Sequence, residues 1–384
     1  MNFTFKRPAL ATAYCDSLAG NGIANATSGL FLAAPRRVGK STFLLNELIP
    51  EAKKRGWTTV YIDLWVNINA NPADIIAEAI KNKILELDSK FAKIAKKIKL
   101  GKINVMGTFV LNFSSPGLPE NITLTDALRI LYEIANEPIL LIIDEAQQAL
   151  INEKAMSAMF AIKSARDQLN SQSAKTPLML VFTGSNRDKL AHLVLKKNHP
   201  FFGSDVTPFP LLNKNYTDAF THWVNKNLAP DNQFSEESMY QAFKLVGHRP
   251  EILRQIAGKI ALSGEASNFA ELLKKDALTW QNRVWEEYEN DFNALSPLQK
   301  VLLQVLIKKG QPWLPFSEES MQTYSQMTGQ QDISTATVQT AIQSLRERGL
   351  LWQSGRGTYA LEDESFAEWY RHTLNEKHDK TTRR

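Results

Sequence analysis

The sequence predicts an α/β protein: a core built on a parallel β-sheet, then an all-helical segment, then a small unit of helices closed by a hairpin. Three observations predict it. Gly29 to Ala33 is a short apolar run, followed by a turn and a helical pattern opening near Lys40. Pro138 leads into an unbroken aliphatic run, Ile139 to Ile143, and then Asp144 and Glu145. Such a run needs burial on both faces, as in the middle of a parallel sheet. Beyond Asn215 the apolar residues recur at helical spacing, and strand-like runs stop until Leu350.

Bulk composition sets the class. The chain has 384 residues, 43% of them hydrophobic and 22% charged, which suits a soluble globular protein of two or three domains. No apolar run approaches a membrane span, and Met1 to Pro8 lacks the apolar core of a signal peptide. The single cysteine, Cys15, excludes an internal disulfide and a multi-cysteine metal site. The six histidines show no metal-ligand spacing. A cytoplasmic location is the resulting expectation. The net charge of +5 permits a nucleic-acid partner without requiring one.

A helix is expected around Ala9 to Leu18, leading to the first strand, Gly29 to Ala33. The turn then reads Ala34, Pro35, Arg36, Arg37, Val38, Gly39, Lys40, Ser41, Thr42. This is the P-loop pattern, with alanine in place of its first glycine. Gly39 lets the backbone turn so that N–H groups face a phosphate, and the helix that follows adds unpaired N–H groups and a positive dipole end. Lys40 would reach the β- and γ-phosphates of ATP, and the Ser41 hydroxyl would hold Mg²⁺. Pro35 to Thr42 are therefore the candidate nucleotide-binding residues. A β-carbon at Ala34 is expected to tighten the loop mouth while leaving binding intact.

Trp57 to Leu64 reads as the second strand. Asn71 to Asp74 is a helix start, with an N-cap, a proline and an acid in order. The helical stretch that follows becomes lysine-rich from Lys90 to Lys102, either as a solvated face or as a surface for DNA. Ile103 to Phe113 reads as a hairpin inserted before a helix from Thr123 to Asn136. The aliphatic strand then ends in Asp144 and Glu145, the Walker B pattern. Asp144 would hold Mg²⁺ through water, and Glu145 would deprotonate the attacking water. After a helix from Met156 to Leu169, Leu178 to Arg187 gives another buried strand with polar residues at its end. Ser185 or Asn186 stands where a side chain could meet the γ-phosphate or the water. Arg187 is a candidate finger or sensor, with a surface arginine at a helix start as the alternative. Asp205 to Leu211 would be a last short strand.

With these pieces placed, the chain resembles the AAA+/STAND group of P-loop ATPases. It is similar in particular to archaeal-type ATPases whose loop matches Pro35 to Ser41. Further matches are Ile143 to Glu145, Phe182 to Ser185, and Gly247, His248, Arg249 and Pro250. The resemblance implies a five-stranded parallel core in the order 5-1-4-3-2, a helical lid whose Pro250 approaches the base and ribose, and a C-terminal winged helix. The expected divisions are a P-loop ATPase core over 1–212, the lid over 213–293, the winged-helix domain over 294–372 and a disordered tail from 373, clearest beyond Asn375. In the winged helix, helices would follow Ser296, Ser317 and Ser334, and the turn Ser354 to Gly357 would form the wing.

The third of those helices would expose Thr337, Gln339, Thr340, Gln343 and Arg346, residue types that touch bases and phosphates. Yet Leu295 to Arg384 holds eleven Lys/Arg against ten Asp/Glu, a net of +1, which is a weak footprint for duplex binding. A protein-docking role is the alternative. The functional expectation is an ATP-hydrolysing switch working with DNA or a DNA-processing or defence assembly, with self-association open. The alternative is a nucleotide-bound scaffold of low turnover.

Overall fold

The computed structural model describes residues 3–67, 69–97, 118, 122–171, 173, 176–263, 268–310 and 313–382. Five strands form one parallel sheet: β1 (Leu30–Ala33), β2 (Thr58–Asp63), β3 (Ile139–Asp144), β4 (Leu178–Gly184) and β5 (Val206–Pro208). They lie in the order β2-β3-β4-β1-β5, as the resemblance implied. β3 is flanked on both sides, Ile142 pairing with Tyr61 on β2 and Val181 on β4. That central place explains its unbroken aliphatic run, since no residue in it faces water.

Successive strand residues alternate between two apolar layers. Ile139, Leu141 and Ile143 join Phe31, Phe182 and the inner faces of α4 (Pro72–Lys97), α5 (Leu124–Ala135), α6 (Glu153–Ser171) and α7 (Arg187–Leu195). Leu140 and Ile142 join Leu30, Leu32 and Val181 under α1 (Pro8–Leu18) and the helix after the P-loop. That helix has three parts: α2 (Lys40–Phe43), a π-helical turn (Leu44–Leu48) and α3 (Ile49–Lys54). Pro50 has no N–H to offer a carbonyl one turn back, and a widened turn accommodates it.

Helices α8 (Lys214–Asn225), α9 (Glu236–Leu245), α10 (Pro250–Leu262) and α11 (Phe269–Asn293) close around Phe220, Phe243, Leu253 and Leu273. The N-terminal Phe3 and Phe5 pack onto this cluster, edge-on to Tyr216. Next come α12 (Pro297–Lys309), α13 (Glu318–Thr328) and α14 (Thr335–Glu347), each capped by a serine hydroxyl. The antiparallel strands β6 (Leu351–Gly355) and β7 (Thr358–Leu361) follow, and Trp313 bridges to Tyr359. The last helix, α15 (Ser365–Thr382), sets Phe366 and Trp369 against Tyr288 and Phe292 of α11.

Several expectations change. The tail beyond Asn375 is helical to Thr382, because no glycine or proline interrupts the stretch that Phe366 and Trp369 anchor. α6 starts at Glu153, one turn early, since the Asn152 side chain accepts from the Ala155 N–H. The strand expected to reach Arg187 stops at Gly184, and α7 follows. Of the lysine-rich stretch, the backbone through Lys97 belongs to α4; residues 98–102, and 103–113 where a hairpin is expected, lie outside the described residues. No helix among the described residues is long and apolar enough to cross a membrane.

Candidate functional site

The site forms where the P-loop meets the C-terminal ends of β3 and β4. Ala34 directly follows β1: its N–H reaches the Gly184 carbonyl at the end of β4 at 3.3 Å, and its side chain is buried. Its backbone is not left-handed, so this position makes no demand for glycine, and the alanine packs inside the apolar layer. The turn itself is made by Arg37 (φ 66°) and Gly39 (φ 89°). A β-carbon on Gly39 would meet only Pro250 Cγ at 3.9 Å and Leu212 Cδ1 at 4.0 Å. Its positive φ, rather than crowding, is what calls for glycine. Phe43 N–H closes on the Gly39 carbonyl, which leaves the N–H groups of the preceding turn without helical partners. Val38 anchors the loop from below, fully buried.

Behind the loop sits Asp144, 2% exposed. Its Oδ2 accepts from the Ser41 hydroxyl at 2.7 Å and from the Tyr61 hydroxyl at 2.9 Å, and the Thr183 hydroxyl donates to Oδ1. No cation lies within ion-pair distance of Asp144 among the described residues. A hydroxyl beside a buried carboxylate lacking a cation fits the oxygen chemistry of Mg²⁺, which takes one or two carboxylates and fills its remaining positions with water and phosphate. Among the described residues no larger cluster of metal-ligating side chains occurs.

Glu145 takes a left-handed turn, φ 56°, which aims its carboxylate away from the strand and toward Lys40. Lys40 Nζ lies 3.7 Å from Glu145 Oε1, with Lys40 only 6% exposed. Burial pulls the Lys40 pKa down, opposed by the charges of Glu145 and Asp144. Glu145 Oε2 accepts from the Ser185 hydroxyl at 2.8 Å and from the Gln147 amide. Gly184 leaves room for that amide, since a β-carbon there would come within 2.7 Å of Gln147 Oε1.

Pro35, Arg36, Arg37, Gly39, Lys40, Ser41, Thr42, Glu145, Ser185 and Pro250 all line one cavity of about 910 Å³. Asn186 and Arg187 do not. The Asn186 side chain caps α7 by accepting from the Lys189 N–H, and the Arg187 guanidinium lies 5.8 Å over the ring of Trp352 on β6. Strand β4 has already ended, so the chain turns these two side chains away. The cavity also has walls that sequence reasoning missed. Phe3, Phe5 and Arg7 line it from the N-terminus, and Arg254 and Gln255 line it from α10. Arg254 stands four residues after Pro250, one turn along the same helix, and that spacing was readable. The N-terminal residues carry no such signal. Arg7 is held over the rings of Phe43 and Phe209, both 4.8 Å away, and its backbone N–H donates to Glu47.

A second polar cluster joins this region to the C-terminal hairpin. Arg346 of α14 pairs with Asp188 of α7 at 2.9 Å, both nearly buried. Asp188 also accepts the Gln353 N–H at 3.0 Å, and Glu362 accepts the N–H groups of Arg187 and Asp188. Arg346, expected on an exposed helix face, is therefore engaged inside the molecule, whereas Thr337, Gln339, Thr340 and Gln343 remain exposed.

No protein-family model matches the sequence, and no curated protein matches it. Solved structures do. The Walker-type ATPase of Pyrococcus abyssi superposes with a TM-score of 0.54 at 19% identity, over 96% of each chain. The ORC2 protein of Aeropyrum pernix, in its ADP form, superposes with a TM-score of 0.51 at 15% identity, over 90% of this chain and 85% of that one. This chain, with its five-stranded parallel sheet, has the P-loop ATPase fold of these archaeal proteins.

Proposed function

We propose that the protein is an ATP-binding and ATP-hydrolysing switch. One observation carries the reading: Lys40 and Ser41 of the loop and Glu145 at the end of the central strand line a single cavity, and buried Asp144 accepts from the Ser41 hydroxyl just behind it. The loop N–H groups and Lys40 bind the phosphates. Ser41 and Asp144 would hold Mg²⁺, which neutralises phosphate charge. Glu145 takes a proton from water as the water oxygen bonds to the γ-phosphorus. The bond from that phosphorus to the bridging oxygen breaks, and ADP leaves with its electron pair. For this, Lys40 must exchange Glu145 for phosphate. Ser185 and Gln147 meanwhile keep the carboxylate oriented.

The nucleotide has two routes outward. Arg37 faces Glu251 of α10 at 3.7 Å, so the loop meets the helical segment there. Ser185 and Asn186 lead directly into α7, which holds the C-terminal hairpin through Asp188. A change at Glu145 can thus bias both units, the helical segment acting as a lid. Duplex DNA is the proposed partner, through the lysine-rich stretch Lys90 to Lys102 or through the C-terminal unit read as a winged helix. A second reading, a scaffold whose winged helix docks a protein, is favoured by the internal use of Arg346.

Phosphate release with and without duplex DNA, and anisotropy of labelled duplex across a salt series, test the pair. Turnover raised by DNA supports the first. Replacing Lys93, Lys96 and Lys97 with glutamine should flatten the slope of log affinity against log salt by about 2–3 if all three touch phosphate. Absence of DNA binding at low salt moves the reading to protein docking. Mass measurement with ATP tests self-association.

A further inference from the structure

Three cationic side chains follow one another around the loop, and their surroundings divide them. Lys40 faces Glu145. Arg37 turns to the lid and pairs with Glu251. Arg36 turns the other way. Its guanidinium carbon lies 4.3 Å from the ring centroid of Trp65, just beyond the end of β2. Its Nε lies 3.5 Å from the Ser185 hydroxyl, which in turn donates to Glu145 at 2.8 Å. Among the described residues no carboxylate pairs with Arg36. Its charge is also close enough to Lys40 to oppose protonation there. Two cations therefore flank the carboxylate that would activate water, one buried and one resting on an aromatic shelf.

We propose that Arg36 is a catalytic arginine resident in this chain. It rests on the ATPase reading above. During transfer, negative charge spreads over the oxygens of the γ-phosphoryl group as its bond to ADP weakens and the bond to water forms. A guanidinium presents several donors in a fixed plane, suited to holding such oxygens. Trp65 is a positioning residue: stacking on its ring limits where the guanidinium can go. Arg187 is held over Trp352, away from the cavity, and does not compete for this role. Hydrolysis then needs no arginine from a second copy.

The test uses the full chain with Mg-ATP. Arg36→Ala should lower kcat by about 10²–10³-fold, toward the range of supplied arginines, while the Kd for ATP by calorimetry stays within about threefold. Turnover per chain should not depend on protein concentration. Trp65→Ala should lower kcat by a smaller factor, and Trp65→Phe should restore most of it. ADP with aluminium fluoride, which imitates the transferring group, gives a readout independent of turnover. The wild type should bind it more tightly than ADP alone, and Arg36→Ala should lose that gain while keeping its affinity for ADP. Unchanged kcat, a rate loss matched by the loss of ATP affinity, or rescue of Arg36→Ala by mixing with Lys40→Ala chains overturns the proposal alone. A wild type that binds no ATP overturns the site reading and this proposal with it.

Discussion

Replacing Arg346 with methionine should loosen the C-terminal hairpin from the core without unfolding either. Arg346 and Asp188 are 2.9 Å apart, with side chains 9% and 7% exposed. Removing one partner of a buried pair costs about 3–5 kcal/mol, because the other charge is left in a poor solvent. Asp188 would keep the Gln353 N–H at 3.0 Å and His192 Nε2 at 3.4 Å. The lower end, about 3 kcal/mol, is therefore expected. At about 1.4 kcal/mol per tenfold, this is roughly a hundredfold change in local opening. Hydrogen exchange reads it at the amides of Arg187, Asp188 and Gln353, whose bonds cross between α7 and the hairpin region. The amides of β3 should keep their protection. Adding Asp188→Asn removes the stranded charge while keeping an acceptor for Gln353, and should recover part of the protection. Exchange within threefold of wild type at all three amides would refute the reasoning, since a pair this buried cannot be lost silently.

Glu145→Gln should bind ATP normally and lower turnover by about 10²–10⁴-fold, the usual cost of a lost general base; single-turnover phosphate release measures it, and an unchanged rate assigns the base elsewhere. Glu362 gives a pH signature. Burial pushes its pKa from 4.5 up to about 7. The folded chain therefore holds a proton between those values that the unfolded chain has lost. Its contribution is most favourable below pH 4.5 and declines by roughly 3 kcal/mol as pH rises through 7. Glu362→Gln should remove that decline, so urea midpoints of variant and wild type should diverge from pH 5 to pH 8, and parallel curves would count against it.

The core was legible because its signals are local. The run Ile139 to Ile143 can be buried on both faces only inside a sheet, and the loop residues from Pro35 to Thr42 that line the cavity are neighbours in the chain. The helix caps at Thr123, Ser296, Ser317 and Ser334 were equally local, each a hydroxyl accepting from an N–H three residues on. Asn186 belongs with them, a cap whose position at a strand end suggested chemistry instead. Arg346 was not legible. Its partner Asp188 lies 158 residues earlier, and the spacing that put Arg346 on an outer helix face says nothing of what packs there. Phe3 and Phe5 reach the cavity by a similar long-range contact. Ala34 shows the opposite limit: the pattern suggested a β-carbon that tightens the loop mouth, and the backbone there asks for no glycine.

The central claim is that the loop from Pro35 to Thr42 binds the phosphates of ATP through Lys40. Calorimetry of Mg-ATP binding to the wild type and to Lys40→Ala tests it most directly. Saturable one-to-one binding is expected for the wild type. The variant loses charge-assisted bonds of about 1.5–3 kcal/mol each, so its affinity should fall by about tenfold to beyond a hundredfold. Equal affinity in the two proteins, or no binding to either, would contradict the account.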